Sequence, residues 1–250
     1  MTIPSVGASQ VQELVAIPME TFTAQVGEID NLTHDVRGIR LELIHPPQIR
    51  FQAGQFVSFE VPKPGLPFPV TRPYSIASPP SDRCVIDLLL NLVPGGPGST
   101  FLFSLQSGDP VSFRGPAGTF VLREYPARRL LFVATGTGIA PIRSMLHARL
   151  PSPTPVTLIW GLRHERDVYY QNELAELAAE FPEFSYAITL SQPSASWTGA
   201  VGRVQSHIEP HIATVDDLAV YVCGSHAMIT SVTEQIRSRG TCPIHREQYF

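Results

Sequence analysis

Three short stretches hold residue types whose spacing suits chemistry on phosphorylated ligands. The first is Thr135-Gly136-Thr137-Gly138, which follows the apolar run Leu130 to Ala134. Such a run is what a strand buried on both faces needs. Apolar residues return at Ile139, Ile142, Met145 and Leu146, which is helical spacing, and Pro141 suits the first turn of that helix. Strand, glycine turn and helix in this order leave free backbone N–H groups at the positive end of a helix dipole. That is a seat for a phosphate or pyrophosphate. The pattern is Gly-x-Gly-x-x-Pro, however, and a tight turn without any ligand would produce it equally well.

The second stretch, Arg72-Pro73-Tyr74-Ser75, offers a cation for phosphate, an aromatic face for ring stacking and a small hydroxyl donor. On a strand, Arg72 and Tyr74 share one face and Ser75 points to the other. An edge strand with a surface Arg and a half-buried Tyr would also account for it. In the third, Gly95-Gly96-Pro97-Gly98-Ser99-Thr100 leads into Phe101 to Leu105. Glycines followed by Ser-Thr at a helix start form a second candidate phosphate cradle, or simply a flexible connection with a hydroxyl cap.

The elements that must position these stretches divide the chain in two. After an N-terminal arm at 1–20, residues 21–125 carry strand signals at 22–26, 37–44, 56–61, 85–93, 111–114 and 120–122, punctuated by turns. This predicts an antiparallel β-barrel or sandwich. From 126 to 250, strand-like runs at 130–134, 156–160, 185–190 and 219–223 alternate with helical stretches at 140–149, 170–180, 203–211 and 226–239. That rhythm predicts an α/β domain with a parallel sheet and crossover helices.

Bulk properties narrow the function. The charged fraction is 16% and no apolar run approaches the ~20 residues of a membrane helix, so no membrane insertion is expected. Met1 to Gln10 lacks the basic-then-apolar layout of a secretory signal, which predicts a cytoplasmic protein. A net charge of −4 gives no case for nucleic acid. Cys84, Cys223 and Cys242 lie far apart and fall short of the four thiolates of an ordinary iron–sulfur cluster.

Taken in order, these landmarks resemble the ferredoxin–NADP reductase family of flavoproteins over residues 21–250. The resemblance rests on Arg72-Pro-Tyr-Ser75, the turn at 95–100, Gly-Asp at 108–109 and Gly-Pro-x-Gly-x-Phe at 115–120. It is completed by Gly-Thr-Gly-Ile-Ala-Pro at 136–141 and Cys-Gly-Ser-His-Ala-Met at 223–228. It implies an FAD-binding barrel, a nicotinamide-nucleotide domain and an active site between them. Carried over, Tyr74 stacks on the isoalloxazine, Arg72 pairs with the FAD pyrophosphate and Ser75 sits by flavin N5. Asn91, Leu92 and Val93 flank the flavin, and Gly98, Ser99 and Thr100 hold its pyrophosphate, favouring FAD over FMN.

In the second half the resemblance gives Thr135 to Gly138 to the dinucleotide pyrophosphate, with Gly161 and Arg163 in a nucleotide-contacting loop. Cys223 lies against the nicotinamide with Gly224 beside it, shaping approach rather than attacking. Met228 is core or a cofactor contact. Gln192 stands where NADPH-preferring members commonly carry Arg, which tilts the expectation to NADH, while Arg163 and Arg166 keep NADPH open. Tyr249 or Phe250 is to cover the flavin face and Glu247 to assist proton movement, although the tail differs from the plant-type terminal Tyr. The implied activity is an NAD(P)H-dependent flavoprotein reductase passing electrons singly to a ferredoxin or oxygenase on a separate chain. A flavin reductase, or a non-catalytic FAD-binding subunit of a larger complex, are the alternatives; no metal site is expected.

Overall fold

The structure is a computed structural model that describes residues 19–125 and 128–249. The N-terminal arm, the 125/126 boundary and Phe250 therefore fall wholly or partly outside the described residues.

In the first half, strands β1 (Glu20–Asn31), β2 (Val36–His45), β3 (Phe56–Val61), β4 (Val70–Ser75), β5 (Val85–Asn91) and β6 (Pro110–Ala117) form an antiparallel sheet. Its order is β4-β3-β6-β1-β2-β5. A bridge between Ile76 and Leu88 joins the two ends and closes the barrel. The alternation seen in the sequence is the reason: Ile39 and Leu41 point inward to meet Phe22, Val57, Phe59, Ile86 and Phe113, and the residues between them face out. Helix α1 (Pro97–Ser104) plugs one end through Leu102.

The second half is a six-stranded, wholly parallel sheet. Its strands are β7 (Arg129–Thr135), β8 (Val156–Leu162), β9 (Phe184–Leu190), β10 (Ala200–Val201), β11 (Leu218–Gly224) and β12 (Ile244–Gln248). The order is β10-β9-β8-β7-β11-β12. Helices α2 (Ile139–Arg149), α3 (Gln171–Glu180) and α4 (His226–Arg237) provide the crossovers. Strand β7 is apolar on both faces because each face is covered. Leu130, Phe132 and Ala134 share a core with α2, whereas Leu131 and Val133 pack towards α4. The first of these cores also takes in Val36, Ala53, Ala77, Leu89 and Phe120 of the barrel half, so the two halves are joined by continuous packing.

Two expectations are corrected. Phe120–Leu122 form no strand; the chain turns at Gly118 (φ +104°), and Leu122 N–H makes a lone bond to the Ala53 carbonyl at 3.0 Å. The helix expected at 203–211 is two 3-10 turns, Val204–Ser206 and Glu209–His211. Pro210 lacks the N–H a helix needs and disfavours the helical conformation before it. Where the sequence carries no strand signal, Ile244–Gln248 forms β12, which runs parallel to β11 with Cys223 opposite Glu247.

Candidate active site between the barrel and the parallel sheet

The parallel sheet reverses its strand order between β7 and β11, and a cleft of about 800 Å³ opens at the C-terminal ends of these strands. Ligands of open α/β sheets bind at such a switch point. Thr135, Gly136 and Thr137 line it, together with Gly161, Arg163, Gly224 and Met228. Gly138 caps α2 without a side-chain cap and with no acidic residue in the first turn, so the helix end is left for an anion. A Cβ on Gly138 would collide with the Cys223 carbonyl, which is why β11 can approach this turn so closely. Pro141 is buried inside the first turn of α2.

The Gly136 carbonyl accepts two hydrogen bonds, from Trp160 Nε1 at 3.0 Å and Tyr169 Oη at 3.3 Å. Both donors lie deep in the core and hold the turn in place. Neither was foreseen from sequence, although an indole N–H at the end of a buried strand needs some partner. His34 and Asp35 of the barrel, Arg166, and Arg203 also line the cleft. Arg163 Nε donates to Gln192 Oε1 at 3.1 Å, so two of the three residues named for coenzyme choice are partners, although Gln192 is exposed and does not itself line the cleft.

The other two stretches meet on the barrel. Gly98 is buried against β4, where a Cβ would collide with the Tyr74 hydroxyl and lie 2.9 Å from the Arg72 Cβ. The guanidinium of Arg72 has one partner among the described residues, the Thr71 carbonyl at 2.8 Å, which leaves donors for an anion. Helix α1 starts at Gly96, also without a side-chain cap or an early acid. The Ser99 hydroxyl is spent on its own turn: it accepts from Val93 N–H at 3.0 Å and contacts the Val93 and Gly96 carbonyls. Thr100, Asn91, Leu92, Val93 and Pro73 are exposed around it.

The halves touch where these seats converge. Ser75 Oγ donates to Glu247 Oε2 at 3.1 Å, and the Thr137 hydroxyl donates to Asn91 Oδ1 at 3.3 Å. Burial pushes the Glu247 carboxyl up to about 7, only partly opposed by the Ser75 hydrogen bond. Burial, and then the Glu247 charge, push the Cys223 thiol well up, so it is no thiolate. Tyr249 lines the cleft, and its hydroxyl is buried without a hydrogen-bond partner. A side-chain-free helix end and an orphaned hydroxyl at the cleft, with a cation that has spare donors on the barrel, fit a nicotinamide dinucleotide and a flavin dinucleotide.

Comparison with known proteins agrees. Residues 23–122 match the oxidoreductase FAD-binding domain and residues 132–234 the oxidoreductase NAD-binding domain. The chain belongs to the ferredoxin–NADP reductase family and is an FAD- and NAD-binding oxidoreductase. It is 36% identical over 245 residues to ferredoxin–NADP reductase B of Sorangium cellulosum, covering 93% of this chain and 99% of that protein. It is 33% identical to the toluate 1,2-dioxygenase electron transfer component of Pseudomonas putida, covering 89% of this chain and 65% of that one. Among solved structures, the Amycolatopsis cytochrome P450 reductase GcoB superposes with a TM-score of 0.84 at 29% identity, covering 94% and 71% of the two chains. No helix among the described residues is long and apolar enough to cross a membrane.

Proposed function

We propose that this protein oxidises NADH at its cleft and delivers electrons one at a time to a ferredoxin or oxygenase component on a separate chain. The observation that carries the reading is the Ser75–Glu247 hydrogen bond, which joins the barrel seat to the dinucleotide cleft at one point. FAD, when bound, supplies the two-electron acceptance and one-electron release that the side chains lack. Arg72 and the uncapped start of α1 would hold its pyrophosphate, with Tyr74 against its ring. The Gly136–Gly138 turn would hold that of the nicotinamide dinucleotide.

The chain's own contribution is orientation and proton handling. Continuous apolar packing between the halves keeps water from the junction. Glu247 keeps a proton to about pH 7, so Ser75 Oγ and Glu247 Oε2 form a short path for moving a proton at the junction. Cys223, neutral and fully buried, shapes the strand end without acting as a nucleophile. Gln192 supports NADH, because an amide offers no charge to a 2′-phosphate. Arg163, Arg166 and Arg203 along the same cleft give NADPH a foothold. Ferredoxin–NADP reductase B, of which this chain covers 99%, supports a separate acceptor, and the need for NAD(P)H supports a cytoplasmic setting.

Anaerobic stopped-flow absorbance tests this. NADH is expected to reduce the bound flavin in one fast phase, followed by transfer to ferricyanide and to a ferredoxin at low concentration. Rapid turnover of added free flavin, with no transfer to any protein carrier, would make the protein a flavin reductase instead.

A further inference from the structure

Arg143 lies on α2, five residues beyond Gly138, yet it does not line the cleft. Its Nε donates to both carboxylate oxygens of Glu173, at 2.8 and 3.1 Å, and its Nη1 donates to the Ala77 carbonyl at 3.1 Å. The same Nη1 is 3.7 Å from Asp87 Oδ2, and the guanidinium lies over the Tyr170 ring at 5.0 Å. Glu173 and Tyr170 belong to the parallel-sheet half; Ala77 and Asp87 belong to the barrel. One planar, mostly buried cation therefore grips both halves at once.

The surroundings hold this grip in a single geometry. His147, one turn along α2, binds the same Glu173 oxygen at 2.6 Å. Burial alone would raise the Glu173 carboxyl, but the His147 hydrogen bond and the Arg143 charge outweigh it and keep it low. Asp87 is fixed from the other side by Arg40, at 2.9 and 3.2 Å. Tyr170, at the start of α3, adopts φ +55°, a conformation rare for a side chain of its size. Backbone tension of this kind persists only where surrounding contacts impose it.

The Ala77 carbonyl lies two residues from Ser75, and Arg143 shares a helix with Gly138. We propose that Arg143 is a positioning residue that fixes the spacing between the flavin-side hydroxyl of Ser75 and the dinucleotide-binding end of α2. The proposal rests on the hydride-transfer reading above. A shift of about 1 Å at such a junction costs about a hundredfold in rate without any loss of ligand contacts.

The test compares wild type, Arg143→Met, Arg143→Lys and Glu173→Gln, each as the FAD-loaded protein. Anaerobic stopped flow gives the limiting rate of flavin reduction and the NADH concentration at half-saturation. Arg143→Met is expected to lower the limiting rate by about tenfold or more, with half-saturation changed less than about twofold. Its deuterium isotope effect, measured with 4-deuterated NADH, should become more dependent on temperature. Arg143→Lys keeps the charge but loses the fork, and Glu173→Gln weakens it; both should fall between. A folded, FAD-loaded Arg143→Met with the wild-type limiting rate, or one that loses only NADH affinity, overturns the proposal. If Arg143→Met does not fold, Arg143→Lys decides, and a wild-type limiting rate there overturns it equally. Failure of NADH and NADPH to reduce even the wild type would refute the redox reading itself, and the positioning role with it.

Discussion

Replacing Glu247 by Gln isolates the consequence of burying a carboxyl between the two halves. In the folded protein Glu247 is pushed up from 4.5 to about 7, chiefly by burial. Below pH 4.5 both the folded and the unfolded chain hold the proton, and the site contributes nothing. Between 4.5 and 7 the unfolded chain releases it while the folded one retains it. Stability therefore falls as pH rises through that window and levels off above it. A displacement of this size corresponds to about 3 kcal/mol by pH 8 and about 1 kcal/mol at pH 5, as upper values that water entry would reduce. Glutamine keeps an oxygen for the Ser75 hydroxyl but cannot ionise. Glu247→Gln should match wild type near pH 4.5 and exceed it progressively to pH 8. Urea unfolding at four pH values between 5 and 8, followed by flavin fluorescence and circular dichroism, gives the difference directly. A difference that does not change with pH would show that the carboxyl is hydrated and ionises normally, and would remove Glu247 as a proton carrier at neutral pH.

Arg72→Ala should lose bound FAD, by about 1.5–3 kcal/mol of binding for one charge-assisted phosphate contact; flavin released by acid and separated by chromatography should be FAD, and FMN alone would contradict the reading. Gly98→Ala should weaken flavin retention as strongly, because its new methyl group collides with the Tyr74 hydroxyl; equal retention would detach the 95–100 turn from the flavin. NADH should exceed NADPH in kcat/KM, and Gln192→Arg should shift that ratio about tenfold towards NADPH. A wild-type preference for NADPH would direct attention to Arg163 and Arg203.

Much of the fold could be read from local pattern. Leu130 to Ala134 followed by glycines announces a buried strand and a turn because both depend on neighbours in sequence. The Ile39, Leu41 alternation works in the same way. What escaped depends on contacts between distant residues. Strand β12 is His-Arg-Glu-Gln in its last four positions, a polar edge with no apolar rhythm, and only pairing with β11 makes it a strand. The partnership of Ser75 and Glu247 spans 172 residues. Nothing near Arg143 in sequence foretells its bond to a barrel carbonyl 66 residues away. The failed helix at 203–211 had a visible cause in Pro210, outweighed by periodicity.

The seam of the barrel lies one residue beyond Ser75, where Ile76 meets Leu88 as an isolated bridge rather than a full ladder. One further backbone bond lies across it, Ala77 N–H to the Asp87 carbonyl at 2.8 Å, while Ile76 N–H is taken by the Gln55 carbonyl on the β3 side at 2.9 Å. A closed barrel opens first where its ladder is shortest, so the hydroxyl at the junction is attached to the weakest joint of its domain. Warming is then expected to part this seam while both sheets remain folded, so that activity is lost below the melting point.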